Sequence, residues 1–132
     1  LRVPHTAQRL GLLHALTHAV LVARSYGLDI LDGVHLDLQD DTGLRAACEQ
    51  GRELGFDGKT VIHPRQLAAA NQVFAPSESE LSRAAEIVAA WEVARAEGKG
   101  VILVGGQLVE NLHVEEAQRL IALAEAIAAR AD

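Results

Sequence analysis

The 132 residues amount to one domain's worth of chain at most. Twelve basic against eighteen acidic residues leave a net charge of −6, with four aromatics and no basic stripe, which excludes nucleic acid as the main partner. No apolar run approaches the ~20 residues that a bilayer-spanning helix needs, and the single Cys48 rules out an internal disulfide and fits a reducing, cytoplasmic compartment.

The chain opens on Leu1-Arg2-Val3-Pro4 and holds no methionine, which points to a segment of a longer protein. From His5 to Arg24, Leu10, Leu13, Leu16, Val20 and Leu21 recur at helical spacing, and Gly27 predicts the stop. "DILDGVHLDL" (29–38) reads as a short strand, with Ile30, Leu31, Val34 and Leu36 set between acids. Asp40 or Asp41 can cap the next helix, whose stripe is Leu44, Ala47, Cys48, Gly51 and Leu54. "GFDGKTVIHPRQ" (55–66) predicts a loop and then a strand, "KTVIH", that buries Val61 and Ile62. Pro64 takes a first helical position, where a missing N–H costs nothing, and "RQLAAANQVF" continues as a short helix.

Ser77 and Glu80 form a capping box for a helix to about Glu97 that buries Leu81, Ala84, Ile87, Val88, Trp91 and Ala94. "VILVGGQLVE" (101–110) turns at Gly105-Gly106 as a hairpin or kinked ribbon. A last helix, from His113 to Arg130, presents Ala117, Leu120, Ile121, Ala124 and Ile127. Alternating strands and helices imply an α/β fold with parallel pairing. Parallel sheets are covered on both faces and need several neighbours, and a complete barrel takes roughly 250 residues. The expected architecture is therefore the last β/α units of an incomplete (β/α)8 barrel over residues 1–75, followed by a helical extension with an arm over 76–132.

The stretch from "GLDILDGVHLDLQDDTGLRAACEQ" through "GFDGKTVIHP" and "FAPS" resembles the citrate lyase β-subunit family, the CoA-ester lyases of the HpcH/HpaI aldolase group. The likeness runs on through "GKGVILVGGQLVENLHVEEA", and "LVENLH" is similar to the malyl-, methylmalyl- and citramalyl-CoA branch. The resemblance implies a (β/α)8 (TIM) barrel that is trimeric or built from trimers. It implies a small-molecule CoA thioester as substrate and cleavage or formation of a C–C bond beside the thioester. It also implies Mg2+ held by a Glu and an Asp with an Arg nearby, all in the half of the family's sequence that precedes these residues, so that the metal ligands are expected outside this chain.

Side chains at the C-terminal ends of barrel strands face the active-site mouth, and those at the N-terminal ends serve stability. By that rule Asp37 and His63 belong to the mouth, while Asp29, Asp32 and Lys59 belong to the floor. His63-Pro64 then opens a helix whose free N–H groups near Arg65 and Gln66 suit an anionic group of CoA. The bland alternatives are that His63 bonds only its own loop and that Asp37 only caps the helix that follows, a role in which Asp40 is the better candidate. The resemblance marks Glu110 of "GGQLVEN" as the acid–base residue, reaching the neighbouring subunit's site in trans; many members carry Asp there. The alternative is a solvated surface carboxylate. His14 and His18 at i, i+4 have no evident third ligand, and Cys48 on an apolar stripe reads as core. No G-x-G-x-x-G or G-x-S-x-G is present. The competing reading for the whole chain is a non-catalytic oligomerisation or regulatory piece of the same family.

Overall fold

The computed structural model describes residues 2–130, which divide into two compact units at Ala75–Pro76. In the first unit the order is α1 (Leu13–Ser25), β1 (Leu31–Asp32), α2 (Asp41–Glu53), β2 (Gly58–Lys59) and α3 (Leu67–Phe74). Strands β1 and β2 pair in parallel, Leu31 opposite Gly58 and Asp32 opposite Lys59, with α2 as the crossover. The expected parallel pairing is present.

Three local expectations need correction. The first helix starts at Leu13, not His5, after a 3-10 turn over Leu10–Leu12. Arg9 breaks the run: its backbone sits at φ 50°, and its guanidinium leaves the helix line for Asp32 and Gln50. Of the stripe expected on that helix, Val20 is buried, alongside Ala23, while Leu10 and Leu21 face outward.

The strand expected over 29–38 holds only Leu31–Asp32, and its polarity runs opposite to the apolar pattern. Leu31 is 60% exposed and Asp32 only 1%, because two cations neutralise the buried carboxylate. The strand expected as "KTVIH" is Gly58–Lys59, extended by one bond from Thr60 N–H to the Asp32 carbonyl at 2.9 Å. Val61 packs half-buried against the α2–α3 core, but Ile62 is 51% exposed instead of buried.

The core of this unit is Leu44, Cys48, Ala70 and Val73, joined by Val61, Ala69 and Phe74. Helix α2 is aimed into it by its cap: Asp40 Oδ1 accepts from Gly43 N–H at 2.8 Å. Gly51 lets that helix approach the sheet, since a Cβ there would lie 3.0 Å from Asp32 Oδ2. Cys48 is fully buried, and burial raises its thiol pKa, the Lys59 charge only partly opposing this. A thiol reagent should therefore modify Cys48 only as fast as the α2–α3 unit opens, with full reactivity regained in denaturant. Labelling at the rate of a free cysteine would show that α2 is not docked as described.

The second unit comprises α4 (Glu78–Ala96), β3 (Ile102–Val104), β4 (Gln107–Val109) and α5 (Asn111–Ala128). The Ser77–Glu80 capping box is formed, Glu80 Oε2 accepting from Ser77 N–H at 2.8 Å. Gly105 and Gly106, at φ 57° and 79°, make the two-residue turn that right-twisted hairpin strands favour. The hairpin packs Val104 and Val109 onto Trp91 and Val114, so that one small core joins α4, the arm and α5.

Candidate functional site

The chain exits β1 and β2 on the same side, and the two exit segments are tied together by one side chain. Gln66 is 3% exposed; its Nε2 donates to the His35 carbonyl and its Oε1 accepts from Ile62 N–H, both at 2.9 Å. His63 lies next to this tie. It caps the 3-10 turn Pro64–Gln66, its Nδ1 accepting from Arg65 N–H at 3.2 Å. That bond makes Nδ1 the unprotonated nitrogen of neutral His63 and leaves Nε2–H as a donor. Pro64 stands at the start of the turn as expected, exposed, with no N–H to lose.

Asp37 is exposed in the loop after β1, and its Oδ1 accepts from Gln39 N–H at 2.9 Å. It closes its own turn, while the helix cap is Asp40. His35 in the same loop has a buried Nε2 with no hydrogen-bond partner, 3.9 Å from Asp40 Oδ2. Arg65 Nη2 lies equally far, 3.9 Å, from Asp41 Oδ2. Gln66 thus brings the His35–Asp37 loop and the Ile62–Pro64 turn to one place. Glu110 belongs to the second unit. It is exposed at the N-cap of α5, its N–H donating to His113 Nδ1 at 3.0 Å and its carbonyl accepting from His113 N–H at 3.0 Å. Glu110 and His113 form a capping box at the start of α5, the arm's last residue being exposed and held by its backbone.

Below the exits lies a buried ionic cluster. Asp32 Oδ1 accepts from Arg9 Nη1 at 2.7 Å and Oδ2 from Lys59 Nζ at 3.0 Å; the Lys59 side chain is 2% exposed. Burial alone would raise the Asp32 pKa. Hydrogen bonds from Arg9, Lys59 and Gly33, with the Lys59 charge, outweigh it and hold the carboxyl below the ordinary value of 3.8. Arg9 Nε also donates to Gln50 Oε1 at 2.7 Å, which ties the segment before α1 to α2. On the same side Arg24 grips Asp57 through two bonds of 2.8 Å, and Asp57 Oδ2 accepts from Ile30 N–H at 2.8 Å. Asp32 and Lys59 are the last residues of β1 and β2, so the cluster sits at the C-terminal ends of the strands and not at the floor where the sequence placed them, and its bonds tie Arg9, β1, α2 and β2 together.

The acids present do not suit a hard cation. Among the described residues no three His, Cys, Asp or Glu side chains converge as a metal site. Both Asp32 oxygens are taken by cations, and Mg2+ demands several convergent oxygens. His14 and His18 lie with stacked rings 6.2 Å apart. No helix among the described residues is long and apolar enough to cross a membrane.

Residues 1–64 match the HpcH/HpaI aldolase/citrate lyase family. Over 121 residues the chain is 52% identical to a (3S)-malyl-CoA thioesterase of Cereibacter sphaeroides, covering 92% of this chain and 42% of that protein. It is 40% identical over 110 residues to an L-malyl-CoA/beta-methylmalyl-CoA lyase of Cereibacter sphaeroides, covering 83% of this chain and 35% of the lyase. The α/β fold is similar to that of CitE from Mycobacterium tuberculosis, crystallised with magnesium, acetoacetate and coenzyme A. The TM-score is 0.70 at 30% identity, over 85% of this chain and 40% of CitE. The chain thus carries the HpcH/HpaI aldolase/citrate lyase match over its first 64 residues, and it spans about two fifths of the length of the relatives to which it is similar.

Sequence reasoning assigned Asp32 and Lys59 to the floor without pairing them, and it passed over Gln66 and His35 as site-builders. The signal for the pair was available: an acid and a base inside two short apolar segments, with a glycine in the helix between them.

Proposed function

We propose that this chain forms the last β/α units and the C-terminal arm of a (β/α)8-barrel enzyme that acts on a malyl- or citramalyl-type CoA thioester. The observation that carries the substrate class is the 52% identity, over nearly the whole chain, to a malyl-CoA enzyme. The parallel β1–α2–β2 unit supports the barrel reading. So does the outward-facing Leu31 of β1, since strands of a parallel sheet are apolar on both faces when neighbours cover them.

In this reading the N–H groups of Arg65 and Gln66, which the sequence offered to the anion, are taken by His63, so His63 Nε2–H and the Arg65 guanidinium seat the anionic part of the thioester at the strand exits, and Glu110 moves the proton. The reaction is C–C cleavage to a shorter acyl-CoA and a keto acid. Magnesium would be held by residues outside this chain. The assembly is a homotrimer or hexamer, in which the exposed Leu103, Leu108 and Leu112 of the arm region dock on a neighbouring subunit. A second reading, hydrolysis of the thioester to the free acid and CoA, is favoured by the higher identity to the thioesterase than to the lyase.

One incubation of the full-length protein with malyl-CoA separates the two. Cleavage gives glyoxylate and acetyl-CoA, hydrolysis gives malate and free CoA thiol, and chromatography of the acids with a thiol assay distinguishes them. Turnover of neither kind, with malyl-, methylmalyl- or citramalyl-CoA, would leave the non-catalytic reading standing.

A further inference from the structure

The two strands are too short to hold their own exit loops. The sheet pairing ends with the Thr60 N–H bond to Asp32, yet the loop after β1 and the turn after β2 must keep a fixed spacing for any ligand bound across them. Beyond that bond, the inter-segment link that takes over is a side chain. Gln66 offers one donor and one acceptor in a plane, as a peptide group does. It uses both across the gap, to the His35 carbonyl and the Ile62 N–H.

Its place in the chain makes this possible. His63 starts the turn, Pro64 fixes its first φ, and Gln66 N–H donates to the His63 carbonyl at 3.0 Å, which aims the Gln66 side chain back at the strand exit. The amide is buried, so losing either bond would strand a polar group away from water.

We propose that Gln66 is the positioning residue of the thioester site: its side-chain amide replaces the missing peptide pairing and sets the spacing between the His35–Asp37 loop and the His63 turn. The inference rests on the functional reading above. Gln66 touches neither substrate nor reacting atoms; it acts through the two loops. A displacement of about 1 Å at such a site is enough to cost roughly 100-fold in rate.

Two variants of the full-length protein test it. Gln66→Met keeps length and packing and removes both bonds. Gln66→Glu keeps the acceptor but, when ionised, cannot donate to the His35 carbonyl; once protonated, the introduced carboxyl has one donor and one acceptor again, like the amide. Gln66→Met should lower kcat/KM for the thioester by roughly 10-fold or more in protein that melts cooperatively. Gln66→Glu should lose activity at pH 8 and regain it relative to the native protein as pH falls towards 5.5. His35, His63, Asp37 and Asp40 flank the loops, so the quantity read is the ratio to native at each pH.

Amide exchange gives a readout independent of catalysis. The Ile62 N–H, whose acceptor is the Gln66 side chain, should exchange about 10-fold faster or more in Gln66→Met, with α2 and α3 amides unchanged. Unchanged Ile62 exchange overturns the clamp. Faster exchange with unchanged kcat/KM, or a Gln66→Glu ratio flat with pH, overturns its part in positioning. If the native protein turns over no thioester, the functional reading fails, and Ile62 exchange still decides whether Gln66 holds the exits.

Discussion

Asp32→Asn in the full-length protein should destabilise the first unit by about 3–5 kcal/mol at pH 7, the cost of removing one partner from a buried ion pair. The substitution keeps shape and size, so it removes charge and little packing. It leaves the buried Lys59 ammonium and the Arg9 guanidinium facing each other without a counter-charge. The effect has a direction with pH. The folded carboxyl titrates below its ordinary 3.8, so its stabilisation is fully present above about pH 4 and is lost as pH falls through the folded value. Urea unfolding of native and variant proteins at pH 7 and near pH 3 should show the gap between them narrowing at the acid end. Replacing the pair together, as Asp32→Leu with Lys59→Met, should cost less than Asp32→Asn alone, because the fully buried ammonium goes with its partner and only the partly exposed Arg9 guanidinium loses its counter-charge. A single variant within ~0.5 kcal/mol of native at pH 7, the range of ordinary surface substitutions, would mean that water reaches this cluster and that Asp32 is not a structural anchor.

The same cluster shows where the sequence could and could not be read. Helix caps were legible because each is a local pattern: Asp40 before α2, Pro64 opening its turn, Ser77 with Glu80 on α4. The Gly105-Gly106 turn was legible for the same reason, since a positive φ at two successive residues asks for glycine. The core stripe Leu44, Cys48 and Gly51 followed from helical period alone. Strand limits were not legible. Period two in "DILDGVHLDL" marks alternate faces but cannot say which face is inside, and a carboxylate with two cations reversed the expected answer at Leu31 and Asp32. Ile62 misled in the same way: a run of apolar residues reads as buried whether its cover comes from this segment or from elsewhere. Gln66 escaped notice because its role depends on two backbone groups, His35 O and Ile62 N, that only the fold brings within 2.9 Å of it.

Glu110→Gln should lower turnover of the full-length enzyme by about 100-fold or more, with thioester binding little changed. The change keeps size and polarity and removes only the acid. Either chemistry asks for one: cleavage returns a proton to the enolate carbon, and hydrolysis takes one from the attacking water. The demand is geometric first, a carboxylate within hydrogen-bonding reach of the reacting group. The arm provides the means. A hairpin with a two-glycine turn presents Glu110 just past β4, and His113 Nδ1 locks its backbone at 3.0 Å, so that this exposed residue stands on a fixed base. Action in trans adds a sharper test. Glu110→Gln subunits mixed under exchange with subunits disabled in the upstream acidic ligands should regain activity, because some interfaces then pair an intact barrel with an intact arm. A fully active single variant would make Glu110 a surface carboxylate. An inactive variant that mixing never rescues would place its action within its own barrel, and the arm would not cross.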